Sequence, residues 1–192
     1  MKGYVYITGM GIDPGLGDFL GDPNFGKTST LGACMPNIRK RARVGDYIFV
    51  ISGKNSQANQ YVIGGLQVAE KIHANDAYNR FPEMRLVRGD DGAVFGNVIV
   101  DGNGNQHPLD HHRSDTFDER VMDYIVGGDS IQICDESSVA RGRDETLSFL
   151  CKLFGKQANR PFDVIGRGGR EMDQEQLNAF LHWIHELKAV ND

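Results

Sequence analysis

YIFVISG (Tyr47–Gly53) and YVIGGLQVAEKI (Tyr61–Ile72) are the stretches whose reading decides the fold. Both are rich in β-branched and aromatic residues and are bounded by turn formers, the composition of strands. The polar segment between them, KNSQANQ, reads as a hairpin loop, and Gly64–Gly65 marks a place for a bulge. Working outward, Arg43–Asp46 is a tight turn, and Pro36 starts a short basic helix over Ile38–Ala42. Thr28–Cys34 is again β-favouring, and GYVYITG (Gly3–Gly9) alternates as a first strand should. Between these last two lies a glycine- and proline-rich loop with no helical period, of a length that is usually functional.

Downstream, a short helix is predicted around NDAYNRF. A strand pair is predicted in GAVFGNVIVDGNGNQH, with Asp101–Gly104 as its turn. DSIQIC (Asp129–Cys134) is a further strand and ETLSFLCKLF a helix. The last element is amphipathic. Asp173 and Gln176 form a capping box, and Leu177, Phe180, Leu181, Ile184 and Leu187 recur at helical spacing. Short strands with helices at the margins give an α+β class, read here as one domain over 1–192: a small twisted barrel with flanking helices and a C-terminal amphipathic helix.

No apolar run reaches the roughly 20 residues that a membrane helix needs, and the polar, glycine-broken N-terminus does not resemble a signal peptide. The expected location is the cytoplasm, with no membrane partner. Cys34, Cys134 and Cys151 are widely spaced and odd in number, which suits reduced buried thiols. A net charge of −5 argues against a protein that coats nucleic acid by charge alone. The densest basic cluster, IRKRAR (Ile38–Arg43), is read as a solvated helix face.

GDPNFGKT (Gly21–Thr28) spells the phosphate-loop pattern G-x-x-x-x-G-K-[ST]. Such a loop works when a buried strand feeds it and a helix starts at its lysine, so that amides and helix terminus face the phosphates. Here GLGDFL precedes it and TSTLGACMP follows, so neither flank has the required form. His107, Asp110, His111, His112, Asp115 and Asp118 carry ligand-type side chains, but no histidine pair has helical zinc spacing, and the segment reads as a solvated loop with no metal. GRGGR (Gly166–Arg170) places two arginines among glycines, able to present guanidinium and backbone amides to a phosphate or carboxylate.

TSTLGACMPNIRKRARVGDYIFVISG followed by YVIGGLQVAEKI resembles the nucleotide modification associated domain type 2 family. The lead-in DPGLGDFLGDPNFG and the GRGGR element ahead of the last helix are similar to the same pattern. The chain departs from it at Gly169, where a histidine is expected, and Trp183 is its single tryptophan. More distantly, the Val44–Asp46 turn between strands is similar to the PUA-like superfamily of EVE, ASCH and YTH domains. That resemblance implies a barrel whose pocket receives a base, often a modified one, in phage or bacterial nucleic-acid modification and defence.

The expectation is therefore a domain that binds a nucleotide or modified base, free or within DNA or RNA, without a cofactor. The pocket would be bordered by the early loop, the Thr28–Cys34 strand and the Asp46 turn, with Thr30 and Gly168 as further contacts. Tyr6, Phe25 or Tyr47 would stack on the base, and Lys27, Arg39 or Arg167 would neutralise phosphate. Some ASCH-like domains are similar to small amidohydrolases, so an alternative is hydrolysis of a modified nucleoside by Lys27, Thr28 or Thr30, and Glu70, with the lysine pKa lowered by burial. A protein-interaction module is the third class.

Overall fold

The computed structural model describes residues 1–189. Eight strands form: β1 (Gly3–Ile7), β2 (Thr30–Leu31), β3 (Tyr47–Ile51), β4 (Val62–Ile72), β5 (Val87–Arg88), β6 (Val94–Phe95), β7 (Tyr124–Gln132) and β8 (Arg170–Met172). The helices are α1 (Pro36–Arg41), α2 (Ala74–Arg80), α3 (Phe117–Met122), α4 (Glu136–Leu153), α5 (Pro161–Ile165) and α6 (Gln174–Lys188). The α+β class holds. The main sheet runs β2-β7-β4-β3-β1-β8, and β5-β6 is a separate pair.

The expected barrel does not close. The six-stranded order ends in β2 on one side and β8 on the other, and these edges do not pair with each other. They are two and three residues long, so neither offers the run of ladder hydrogen bonds that closure with tilt and stagger requires. β1 and β3 run parallel in register from Gly3↔Tyr47 to Ile7↔Ile51, while β3 and β4 are antiparallel with a register shift at Val50/Ile51. The glycines of β4 serve close packing. A Cβ on Gly65 would lie 2.3 Å from the Phe49 ring, and one on Gly64 2.2 Å from the Ile131 carbonyl oxygen. No helix among the described residues is long and apolar enough to cross a membrane.

The chain divides into two compact units. The first comprises residues 1–20, 45–67 and 129–192. Its core is β1, β3 and the first half of β4 against α4 and α6. Phe49 stacks on Phe180 at 4.2 Å, and Phe149 stacks on Trp183 at 4.0 Å. The capping box of α6 forms as predicted, but Trp183 rather than Leu181 faces inward, its indole N–H donating to Glu145 at 3.1 Å. α4 begins nine residues before the predicted ETLSFLCKLF, because Asp135 caps it by accepting from the Ser138 amide. Ser137, Ser138 and Gly142 are weak helix formers that hide this in sequence. Tertiary contacts favour them: Ser138 Oγ donates to Leu187 O, and a Cβ on Gly142 would already sit 3.3 Å from Tyr61 Cβ.

The second unit comprises residues 21–44 and 68–128. Its core gathers Ala74, Phe81, Met84, Val98, Val100 and Tyr124. The predicted strand pair after Gly92 is half formed: β6 pairs back to β5, while the Asp101–Gly104 turn joins only a single bridge, Val100↔Gln106. The three cysteines are free, but none is fully buried: Cys34 and Cys151 are half-buried and Cys134 is exposed.

Candidate functional site

The Lys54–Gln60 loop of the first unit is held from below by buried Asp13. The Asp13 carboxylate accepts from Arg143 Nη1 and Nη2, both at 2.9 Å, and from Asn55 Nδ2 at 2.8 Å. Asn55 Oδ1 in turn accepts from the Gln57 and Ala58 amides, so one carboxylate fixes the loop's course. The Arg143 guanidinium, its proton held more firmly by the Asp13 hydrogen bonds, lies 4.8 Å from the Tyr61 ring centroid. Burial pushes the Tyr61 phenol up to about 12, so it is neutral at physiological pH.

The same loop is joined to the segment after β1. Thr8 N donates to Ile51 O, Gly53 N to Ile12 O and Gly11 N to Lys54 O. Gly53 is required there, since a Cβ would meet Gly9 O at 1.9 Å. Thus the carboxyl ends of two adjacent parallel strands open on one side, the place where α/β sheets most readily form ligand crevices. A hollow of about 350 Å3 lies there, lined by Ile7, Thr8 and Met10 after β1, by Lys54 after β3, and by Phe162 and Arg167 around α5.

GRGGR joins α5 to β8. Gly166 ends α5 at φ 80°, Gly169 takes φ 78°, and Arg170 opens β8. The positive φ at Gly169 is one that glycine adopts at no steric cost. The two arginines differ. Arg170 donates to Val164 O at 2.8 Å and lies over the Phe154 ring, whereas Arg167 is exposed and meets no acceptor among the described residues.

Lys54 is the hollow's second such cation: it is exposed, and its ammonium has no acceptor among the described residues. Arg160 is bound through Nε to both Asp163 oxygens, at 3.0 and 2.9 Å, and its guanidinium lies 5.5 Å from the Phe162 ring centroid. Phe162 keeps 45% of its surface open. An exposed aromatic ring beside uncommitted cations is an arrangement that can stack a base and hold a phosphate. Lys54, Arg160 and Phe162 were not anticipated from sequence. Lys54 sits in a polar hairpin, and the other two meet it only through the fold.

The remaining predicted residues of this unit lie elsewhere. Tyr6 is buried opposite Val50. Asp46 accepts from the Lys2 amide at 2.7 Å, and Tyr47 pairs with Gly3, so both stand at the opposite end of β3 from Lys54. Gly168 follows Arg167 at the surface.

In the second unit GDPNFGKT forms the first arm of a hairpin. Asn24 and Thr30 exchange backbone hydrogen bonds at 2.9 Å, and the chain passes into β2 rather than a helix. Phe25, Lys27 and Thr28 lie on its loop, with Lys27 exposed. The pivotal letter is Asp22, whose carboxylate accepts from the amides of Gly32, Ala33 and Cys34 and from Asn97 Nδ2. Thr30 is buried beneath it, accepting from Asn97 Nδ2 at 2.9 Å. Arg39 is fully buried rather than solvated. Its guanidinium donates to the carbonyls of Cys34, Ala33, Arg120 and Asp123. Burial pushes the Cys34 thiol up, away from a reactive thiolate. Glu70 pairs with Arg80 at 2.5 Å, and no hydrogen bond joins it to Lys27, Thr28 or Thr30 among the described residues. In the histidine-rich segment, Asp110 is held by Gln106 and His112, and His107 Nδ1 accepts from the Leu109 amide.

Residues 12–132 match the family described as Nucleotide modification associated domain 2. No curated protein and no solved structure matches the chain.

Proposed function

The chain belongs to the nucleotide modification associated domain 2 family, and from that premise we propose that it binds a nucleotide, with a natural or modified base, in the hollow at the carboxyl ends of β1 and β3. The observation that carries this reading is the meeting of Lys54 and Arg167, neither with a protein acceptor among the described residues, around the partly exposed Phe162, whose ring has the Arg160 guanidinium 5.5 Å from its centroid. The volume of about 350 Å3 falls within the roughly 300–1,000 Å3 usual for ligand pockets. In the bound state Phe162 stacks on the base while Lys54 and Arg167 receive the phosphate, Arg167 as a bidentate donor. Gln60, anchored through Nε2 to Ser52 O, keeps its side-chain oxygen for a base edge.

Lys54 and Gln60 lie within the matched residues, whereas Arg160, Phe162 and Arg167 follow them. Calorimetric titration with nucleoside 5′-monophosphates, unmodified and base-modified, against inorganic phosphate tests the reading. At least one nucleotide is expected to bind more tightly than phosphate, with Arg167→Ala weakening it about tenfold. Absence of binding across the whole panel overturns the proposal.

A further inference from the structure

Resting on that nucleotide-binding reading, we infer that the preferred ligand is two consecutive nucleotides of a single strand, seated in two adjoining hollows with their shared phosphodiester on the wall between them. The observation is a second hollow, of about 480 Å3, beside the first. Lys54, Gln60 and Arg160 line both, so they form the partition that a molecule occupying the two must cross.

The charges along this path alternate as a dinucleotide's do. On the partition stand the Lys54 ammonium, without a protein acceptor among the described residues, and Arg160, which is paired through Nε with Asp163 and lies 5.5 Å from the Phe162 ring centroid. They face the one place where the ligand carries charge between two neutral nucleosides. The second hollow is different in kind. Its arginine, Arg143, is neutralised by Asp13, Asp144 adds negative charge, and Asn59, Asn159 and Ser148 offer neutral donors and acceptors. That lining suits a base edge and repels a second phosphate. A duplex cannot use the site, because its bases are paired and stacked, so the strand has to be single or locally opened. The net charge of −5 leaves little non-specific attraction, which makes two shaped subsites the source of affinity.

The experiment compares, by calorimetry or fluorescence anisotropy, a nucleoside 5′-monophosphate, the 5′-diphosphate and a 5′-phosphorylated dinucleotide of the same base, in deoxy and ribo series, with single-stranded and duplex oligonucleotides. The dinucleotide is expected to bind at least about tenfold more tightly than the monophosphate in one of the two sugar series. The diphosphate, which adds charge without a second nucleoside, is expected not to reproduce that gain. Ser148→Trp, which fills the second hollow, brings the ratio of dinucleotide to monophosphate affinity towards one. Asn59→Ala lowers the same ratio and serves if the tryptophan variant does not fold. Equal binding of mono- and dinucleotide, a diphosphate that matches the dinucleotide, or a duplex that binds as well as the single strand overturns the inference and leaves nucleotide binding standing. Failure of every ligand, monophosphate included, overturns the underlying reading as well.

Discussion

Arg39 and Arg167 look alike in sequence, each in a basic or glycine-rich cluster suited to a phosphate, yet the fold uses them in opposite ways. Arg39 is fully buried and its guanidinium donates to four backbone carbonyls of the second unit. Arg167 is exposed at the rim of a hollow, with no acceptor among the described residues. The same contrast separates the two glycine-containing loops. Around GDPNFGKT, the amides of Gly32–Cys34 do cradle an anion, but it is the chain's own Asp22. At Lys54, Asp13 holds the loop through Asn55, but the ammonium itself meets no acceptor among the described residues. A cluster of cations or amides is available to a ligand only where the protein has not already satisfied it, and sequence counts charges without showing that difference.

The largest expected effect lies on the internal side. Arg39→Ala orphans several buried carbonyls and is expected to cost about 3–5 kcal/mol in urea unfolding, with Arg39→Lys restoring little of it. A variant as stable as the parent would break the contrast. Asp22→Ala leaves three amides without their acceptor and Asn97 Nδ2 with Thr30 alone, and a loss of about 3 kcal/mol is expected by the same measurement. On the surface side, Lys54→Ala is expected to change stability by less than about 0.5 kcal/mol while weakening nucleotide binding about tenfold. A large stability loss there would show that Lys54 is structural after all.

The tyrosines sharpen the comparison further. Burial raises the Tyr61 phenol from 10.0 to about 12, so between those values the unfolded chain releases a proton that the folded one keeps. Stability is therefore intact below pH 10 and falls as pH rises through 12. Tyr61→Phe should show a shallower fall than the parent in alkaline melts, while Tyr124, also raised by burial, continues to titrate in the second unit. The smallest effect is expected at Lys27, where alanine should change stability by less than about 0.5 kcal/mol and nucleotide affinity by less than about twofold. A strong loss of binding would return the hairpin loop to the site.

Much of the fold was legible because it rests on local rules. YIFVISG and YVIGGLQVAEKI are strands, Pro36 opens α1, and Asp173 with Gln176 caps α6. The missing phosphate loop was legible too, since the required strand and helix flanks are absent from the letters themselves. The early part of α4 was not, because its serines and glycine are favoured by Leu187 and Tyr61, which come from distant sequence. The open sheet in place of a barrel is hidden for a related reason: strand composition does not reveal which strands become edges. Of the proposed site, Arg167 stands in the GRGGR cluster that the sequence singles out, whereas nothing in a hairpin lysine or an α5 phenylalanine signals the other.

By itself the sequence determined the class of the molecule, its main strands and caps, its net negative charge, and its family. Those properties follow from composition, short-range spacing and local backbone preference. Only the tertiary structure decided which cations are consumed inside and which stay exposed without an acceptor among the described residues. Asp22 reaches the amides of residues 32–34, Arg39 reaches Arg120 and Asp123, and Lys54 meets Arg160 and Arg167 only when β1, β3 and α5 come together. Hydrogen bonds and ion pairs act over a few ångströms, and distances of that kind are set by the fold rather than by the order of the chain.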